Sequence, residues 1–187
     1  MNNKTRCSWP GDDPLYVAYH DEEWGVPIYT SQQLFEKLIL DGFQAGLSWI
    51  TILRRREKFL KAFDHFDPEK ISRYGDVDIE RLMNDRGIIR NRLKILSTIT
   101  NATLYLDMEQ EKSGAFSDFI WSFTDGKILQ HDGRPRPAET PQSRAMSKAL
   151  KKRGFKFCGP TICYAFMQAV GIVNDHDHNC FRHAELM

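Results

Sequence analysis

Residues 90–111, with the sequence RNRLKILSTITNATLYLDMEQE, form the longest periodic stretch of this chain. Apolar or small side chains recur there every three to four residues, at Leu93, Leu96, Ile99 or Thr100, Thr103 and Leu106. Arginine and lysine fall on the opposite face of a helical wheel. This spacing matches the 3.6-residue turn of an α-helix and predicts one long amphipathic helix with its apolar stripe toward the core.

Helical patterns continue on both sides of this segment. The spacing predicts helices over residues 31–42, 44–63, 77–85, 143–153 and 159–173, with one more opened by Asp67 and Pro68. Aspartate is a good N-cap, and proline is tolerated in a first turn. Residues 124–140 are rich in glycine and proline, which predicts a surface loop with room for a hairpin. Because no set of alternating strands is visible, the predicted fold class is all-α.

The composition is that of an ordinary globular protein. Of 187 residues, 41% are hydrophobic, and 26 Lys and Arg stand against 25 Asp and Glu, a formal net charge of +1. These values exclude a disordered or fibrous chain and remove the simplest argument for a nucleic-acid partner. The charge is nevertheless segregated, because basic residues gather at 54–56, 90–94 and 144–156. Such patches fit a phosphate-contacting surface, although a solvated basic face is the commoner cause.

The N-terminus and the apolar runs indicate a cytoplasmic protein without a membrane segment. The first residues are polar and include early prolines, unlike the apolar core of a secretory signal. No apolar run approaches the ~18 residues that a membrane span needs. In a reducing compartment we expect the four cysteines to be thiols or metal ligands rather than disulfides. They are Cys7, Cys158, Cys163 and Cys180.

Two of these cysteines have histidines at the spacing of a zinc site. His176 and Cys180 are four residues apart and would share a face of a helical turn. Cys7 and His20 lie near the other end of the chain, so a Cys2His2 site would tie the termini together. An incidental pairing on a solvated tail is the simpler alternative. Two other histidines, His178 and His183, are rival ligands.

A cluster of aromatic residues lies near the N-terminus, interleaved with acidic residues. It comprises Trp9, Tyr16, Tyr19, Trp24 and, further along, Trp49. Large rings commonly fill a core. Rings edged by carboxylates would also hold a flat cationic ligand, because the π face of a ring attracts a cation. The residues alone leave both interpretations open.

Five segments carry motifs that are more specific than these patterns. They are residues 13–27 (DPLYVAYHDEEWGVP), 44–51 (QAGLSWIT), 87–90 (GIIR), 147–157 (SKALKKRGFKF) and 174–176 (NDH). In this order they closely resemble the DNA-3-methyladenine glycosylase I family, nearly from end to end. The resemblance implies a helix-hairpin-helix type repair enzyme that flips 3-methyladenine out of alkylated double-stranded DNA and hydrolyses its N-glycosidic bond. The implied products are free 3-methyladenine and an abasic site, without lyase activity.

The resemblance implies that the metal is a structural zinc ion. Its four ligands would be Cys7, His20, His176 and Cys180, which leaves His178 outside the set. A closed site of this kind contributes folding energy and has no open position for catalysis. We therefore expect one unit over residues 1–187. In it, segments 1–30 and 140–187 form a zinc-clamped helical part, and 31–139 form a helical core with the hairpin.

The resemblance also assigns the contacts to base and DNA. Trp49 matches the ring on which the flipped base stacks, and Tyr16, Tyr19 and Trp24 match its aromatic walls. Leu47 matches an apolar wedge that fills the gap in the base stack. The DNA backbone would be held at the hairpin by Gly87 and Arg90, and in the basic segment by Lys151 and Lys152.

One residue departs from the family pattern. Asp41 stands where the family usually has a glutamate whose carboxylate is expected to accept hydrogen bonds from the flipped base. Aspartate keeps the charge, but it is shorter by about the ~1.5 Å of a C–C bond. We predict that Asp41 is the catalytic carboxylate, with retained activity and an altered affinity for the free base.

Two other classes of protein fit parts of the pattern. A non-enzymatic zinc-containing module that binds DNA lesions would share the basic patches and the metal site, but it would not need a pocket of rings with an internal carboxylate. A metal-dependent hydrolase with an open site would lose turnover on chelation while its fold survives. The glycosylase interpretation predicts loss of folding first. As a lesion scanner, such an enzyme is expected to work as a monomer.

Overall fold

The computed structural model describes residues 4–187, and helices make up most of it. The helices are α1 Pro14–Glu22, α2 Ser31–Gln44, α3 Trp49–Leu53, α4 Arg56–Ala62, α5 Pro68–Ile71, α6 Asp76–Asn84, α7 Arg92–Glu111, α8 Ala115–Trp121, α9 Pro141–Lys152, α10 Pro160–Ala169 and α11 Phe181–Glu185. Two short strands, β1 Leu129–Gln130 and β2 Val173–Asn174, pair in parallel. The predicted mainly helical class is confirmed. Within residues 4–187, no helix has the length and apolarity needed to cross a membrane.

Side-chain caps start several of these helices. Asp13, Asn91 and Thr140 accept hydrogen bonds from backbone N–H groups in the first turns of α1, α7 and α9, at 3.0–3.2 Å. Asp67 caps α5 in the same way, and Pro68 follows it, as the sequence predicted. These caps satisfy N–H groups that the first turn of a helix leaves without a partner.

Helix α7 is the long helix predicted from residues 90–111, but it turns a different face to the core. The predicted apolar stripe is wrong, because Leu93 is 69% exposed and Leu96 is 37% exposed. Its buried residues are Lys94, Ile95, Ser97, Thr98, Asn101, Ala102 and Tyr105. Small and hydroxyl-bearing side chains let α7 pack closely, and the Thr98 hydroxyl donates to a backbone carbonyl of its own helix, 2.9 Å away. The polarity of the side chains on α7 therefore did not indicate which of its faces is exposed to solvent.

The single helix predicted over residues 44–63 is also wrong. Gly46 has φ +82°, a left-handed conformation that ends the helical path after α2 and that glycine adopts without strain. A second break separates α3 from α4 at Arg55, where φ is −110° and ψ is 0°. There the Arg55 N–H donates to the Ile52 carbonyl three residues back, at 2.8 Å. Such a tightened turn leaves the apolar periodicity intact, so the sequence pattern does not reveal it.

No hairpin forms within residues 124–140, contrary to the sequence prediction. Instead β1 pairs with the distant strand β2, and the backbone N–H groups of Leu129 and His131 donate to the carbonyls of Ile172 and Asn174 at 2.9 Å. The glycine- and proline-rich loop is thereby fixed beside the segment that contains His176.

The core brings α2 to the middle of the molecule. Helix α10 packs against α9 and α2, and α7 packs against α2, α5, α6 and α8. Large rings fill the space between these helices: the fully buried phenylalanines are Phe35, Phe43, Phe59, Phe63, Phe66, Phe116, Phe155 and Phe166. Helix α2 buries nine of its fourteen residues, Asp41 among them. The Asp41 carboxylate is therefore held in a fixed, largely dry position.

Replacing Gly171 by alanine is expected to destabilise the fold by at least about 2 kcal/mol. Gly171 has φ +74°, and an added Cβ would lie 2.5 Å from the backbone nitrogen of Pro27 and 2.6 Å from its Cα. Backbone cannot move aside as a flexible side chain can. The measurement is the free energy of unfolding in urea. The matched control is Gly159→Ala, where an added Cβ meets no atom within 4 Å, and a similar loss in both variants would contradict this account.

Candidate active site

A cavity of about 270 Å³ lies between the N-terminal helix α1, the central helix α2 and helix α10. We call it the aromatic pocket. Its lining residues are Trp9, Tyr16, Tyr19, Trp24, Lys37, Asp41, Gln44, Trp49, Arg136, Ala165, Gln168 and Ala169. The volume of this cavity is just below the ~300–1,000 Å³ typical of drug-sized ligand sites. A single small ring compound therefore suits its size.

The structure brings the predicted aromatic residues together around this pocket. The ring centroids of Trp9 and Tyr16 are 4.7 Å apart, and those of Trp9 and Trp24 are 5.0 Å apart, both edge to face. Tyr19 and Trp49 lie 5.4 Å apart with a tilt of 42°. Tilted and edge-to-face rings of this kind stabilise one another. Within the described residues, the indole N–H groups of Trp9 and Trp49 are buried without a hydrogen-bond partner.

Asp41 supplies the carboxylate of the pocket and is 1% exposed. One of its oxygens, Oδ1, pairs with the Lys37 ammonium one helical turn earlier. Its other oxygen, Oδ2, is buried and accepts no hydrogen bond from any residue between 4 and 187. Burial raises the pKa of Asp41, and the charge of Lys37 opposes that rise. A buried acceptor without a partner is costly unless a ligand supplies the missing donor.

Lys94 holds the end of the helix that carries Asp41. Its Nζ donates to the carbonyl oxygens of Phe43 at 2.7 Å and Ala45 at 2.8 Å, which lie at the C-terminus of α2 and would otherwise lack partners. The sequence predicted that Lys94 belongs to a basic surface patch that contacts phosphate. This prediction is wrong, because Lys94 is only 6% exposed. The cation instead joins α7 to the C-terminal end of α2.

Four side chains from the two ends of the chain form a buried Cys2His2 cluster that could hold a metal ion, and we call it the metal cluster. The ligand atoms of Cys7, His20, His176 and Cys180 all lie within 4.8 Å of one another. Cys180 Sγ is 3.5 Å from both His20 Nε2 and His176 Nδ1, and Cys7 Sγ is 3.7 Å from His176 Nδ1. Tetrahedral bonds of roughly 2.3 Å to sulfur and 2.0–2.1 Å to nitrogen place neighbouring ligands roughly 3.5 Å apart. The donor set and the spacing therefore both fit a tetrahedral metal ion.

The second nitrogen of each histidine is also held as metal sites require. His20 Nδ1 lies 2.8 Å from Asp21 Oδ1, and His176 Nε2 lies 3.0 Å from the Trp24 carbonyl. These partners fix the ring orientation and leave the other nitrogen free to bind a metal. Burial lowers the pKa of His176 to about 4, so its ring is neutral at pH 7. Burial likewise raises the pKa of the Cys7 thiol to about 12.

The remaining cysteines and the two rival histidines, His178 and His183, stand outside the cluster. Cys158 and Cys163 are buried core thiols. His178 is exposed, and its Nε2 lies 3.1 Å from the His131 carbonyl. Arg136 connects the metal cluster to the aromatic pocket, because its guanidinium lines the pocket and its Nη2 lies 3.5 Å from Cys7 Sγ.

The residues predicted to touch DNA are placed on turns and helix ends. Leu47 is 41% exposed and follows the left-handed Gly46. Gly87 lies in the turn between α6 and α7, where its N–H donates to Asp85 Oδ1 at 2.6 Å. Arg90 is exposed at the end of that turn. The exposed residues Lys151 and Lys152 lie in the last turn of α9.

Ion pairs correct the predicted separation of charges. Arg54 pairs with Asp13, and Arg56 pairs with Glu23. Two of the three arginines at 54–56 thus pair with acidic residues that the sequence predicted to surround a cationic ligand. Among the described lining residues, Asp41 carries the only carboxylate. Charge complementarity to a cation therefore depends on Asp41 alone.

Several pocket residues were not predicted as site residues. Lys37 precedes Asp41 by four residues, a spacing that places both on one helix face, and this signal was available in the sequence. Gln44 is the first residue of the 44–51 motif and Trp9 belongs to the predicted aromatic cluster, but neither was assigned a contact with the base. Arg136 and Gln168 come from a distant loop and helix, so no local pattern connects them to the pocket.

Comparisons with known proteins agree with this geometry. A family model described as methyladenine glycosylase matches residues 9–183. The chain is 53% identical over 178 residues to DNA-3-methyladenine glycosylase 1 of Escherichia coli (strain K12), covering 94% of this chain and 95% of the relative. A crystal structure of 3-methyladenine DNA glycosylase I has a TM-score of 0.92 and 53% identity, and the match covers 96% of this chain and 100% of that one. A tyrosine-to-phenylalanine variant of 3-methyladenine DNA glycosylase I in complex with 3-methyladenine has a TM-score of 0.90 and 37% identity, over 95% and 97% of the chains.

Proposed function

Since the chain belongs to the methyladenine glycosylase family and excises 3-methyladenine from DNA, we propose that the aromatic pocket holds this base during its excision from alkylated double-stranded DNA. The observation that carries the proposal is the unpaired Oδ2 of buried Asp41 in a cavity of rings. Trp49 stacks on the flipped base, and Tyr16, Tyr19 and Trp24 form the walls. A non-enzymatic lesion binder, the alternative from the sequence, is disfavoured by the enzymes that the chain matches.

Recognition rests on charge and on a hydrogen bond. Alkylation at N3 leaves the base in DNA cationic, and π faces and a carboxylate favour a cation over neutral adenine. Asp41 Oδ2 accepts a hydrogen bond from an N–H group of the base. A bond to a charged acceptor contributes about 1.5–3 kcal/mol, whereas flipping a damaged base costs only a few kcal/mol.

Excision proceeds by hydrolysis. A cationic purine is a good leaving group, because the electron pair of the C1′–N9 bond moves onto the base as that bond breaks and neutralises it. Water adds to C1′ and loses a proton, which leaves an abasic site. The pocket contributes by holding the base away from solvent, in the orientation in which the bond breaks.

Residues on two turns and at one helix end contact the DNA. Leu47 fills the gap that the flipped base leaves in the stack. The segment α6–turn–α7 acts as a helix-hairpin-helix unit, in which Gly87 and Arg90 hold the backbone. Lys151 and Lys152 contact phosphate in the same way, without reading sequence.

The metal cluster binds one structural zinc ion through Cys7, His20, His176 and Cys180. It joins residues 1–30 to residues 140–187, so that the chain acts as one unit around its core of residues 31–139. All four cysteines are free thiols in the described structure, as is usual in a reducing compartment. We place the enzyme in the cytoplasm on this ground, and we propose separately that it acts as a monomer.

Release of bases from methylated DNA tests this function. Incubation with the purified protein should liberate 3-methyladenine and an equal amount of abasic sites, detected by chromatography and by aldehyde-reactive labelling. Failure to release 3-methyladenine would overturn the proposal. A borohydride-trapped adduct between protein and DNA would instead contradict the hydrolytic mechanism. Lys37 carries the only primary amine among the described lining residues, and it is the pocket group that could form such an adduct.

A further inference from the structure

The ammonium group of Lys37 lies where a stacked cationic base would lie. Its Nζ is 3.7 Å from the centroid of the Trp49 ring, over the ring face. The same ammonium pairs with Asp41 Oδ1. Lys37 thus makes, within the protein, the cation–π contact and the carboxylate contact that the proposed function assigns to the base. A separation of 3.7 Å is contact distance, so no ring can stack on this face of Trp49 until the ammonium leaves.

We propose that Lys37 is an internal competitor of the base, which fills the base position between turnovers, withdraws when the cationic base binds, and returns when the base has become neutral. This inference rests on the proposed function and adds a specificity-determining residue to it. The side chain of Lys37 is 12% exposed, and its four-carbon stem gives the ammonium alternative positions around the rim of the pocket.

The change in charge of the base during the reaction determines when the base replaces the Lys37 ammonium and when the ammonium returns. Before cleavage, the N3-alkylated base carries one positive charge and can replace the ammonium beside Asp41. As the C1′–N9 bond breaks, its electron pair passes to the base, and the positive charge moves to the sugar, where water and proton loss remove it. The base is then neutral. Asp41 has lost its cationic ligand, and Lys37 is the nearest cation that can replace it, which favours release of the product.

The same exchange discriminates against undamaged adenine. A neutral adenine that displaced Lys37 would leave the carboxylate of Asp41 without a cation in a buried site. Loss of one charge-assisted hydrogen bond changes an affinity by about 10- to 100-fold. Lys37 therefore raises the selectivity of the pocket for a cationic base beyond what the rings and Asp41 provide together.

Product inhibition in the Lys37→Met variant tests the proposal. Methionine keeps much of the length of the side chain and removes its charge. We expect free 3-methyladenine to inhibit base release at about tenfold lower concentration than in the wild type, and adenine to become a measurable inhibitor. Lys61→Met is the control, an exposed lysine of α4 whose replacement should leave both inhibition constants unchanged.

An unchanged or weaker inhibition by 3-methyladenine in folded Lys37→Met would overturn the proposal. A second measurement uses the wild-type protein and does not depend on the folding of a variant. The ε-methylene protons of Lys37 should resonate upfield in NMR spectra, because they lie over Trp49, and saturating 3-methyladenine should move them toward the position of exposed lysines. No movement on binding would refute the exchange. Absence of base release by the wild type would instead refute the proposed function.

Discussion

Replacing Cys180 by alanine is expected to abolish stoichiometric zinc binding and to lower the free energy of unfolding by about 5 kcal/mol or more. Cys180 Sγ lies 3.5 Å from two histidine nitrogens, one of them on α1 and the other four residues before it. Structural zinc sites of this type contribute roughly 10–16 kcal/mol of apparent binding energy, which is folding energy when the site forms only in the folded state. Without the metal, α1 and the C-terminal segment lose the link that the shared ligands provide, and the pocket wall built on α1 loses support.

Metal analysis and urea unfolding of the purified proteins measure this effect. Cys158→Ala is the matched control, because Cys158 is also a buried cysteine but lies outside the cluster. The Cys158→Ala variant should keep one zinc per chain, and its free energy of unfolding should fall by no more than about 1 kcal/mol. Chelation of the wild type should unfold the terminal segments before or together with loss of activity. Activity lost with the fold intact would point to a catalytic metal and contradict the structural role.

Replacing Asp41 by asparagine is expected to lower kcat/KM for release of 3-methyladenine by about 100-fold. The variant keeps the shape of the side chain but removes its charge, and its amide can present a donor where the base needs an acceptor. Since Asp41 carries the only carboxylate among the described lining residues, no neighbouring group can take its place. Base release from methylated DNA under kcat/KM conditions measures the change.

Asp41→Glu is the matched control for this prediction. It keeps the charge and restores the longer side chain usual in the family, so its activity should stay within about tenfold of the wild type. Unfolding curves and zinc content of both variants establish that the fold is intact. Activity of Asp41→Asn within threefold of the wild type would show that Asp41 does not contact the reacting base.

The sequence was sufficient to bring together the aromatic residues of the pocket and the four Cys and His residues of the metal cluster, because their motifs are long and specific. Tyr16, Tyr19, Trp24 and Trp49 lie around one cavity, and four ligands from opposite ends of the chain form one cluster. The helical class followed from periodicity. These features depend on residue identity and order, which sequence motifs preserve directly.

The sequence was not sufficient where tertiary contacts override local pattern. Lys94 reads as a surface cation on α7, yet it is buried because two carbonyls at the end of α2 need donors. The exposed Leu93 and Leu96 misled the assignment of the α7 face for the same reason. Arg54 and Arg56 read as free cations until the structure paired them with carboxylates more than thirty residues away. Such partners are set by the fold as a whole.

A crystal structure of the protein with 3-methyladenine would show whether Asp41 and Trp49 hold the base. We expect the base in the aromatic pocket, stacked on Trp49, with one of its N–H groups within hydrogen-bond distance of Asp41 Oδ2 and with the Lys37 ammonium displaced from the ring face. A base bound elsewhere, or bound in the pocket with no nitrogen within 3.5 Å of either Asp41 oxygen, would refute these roles.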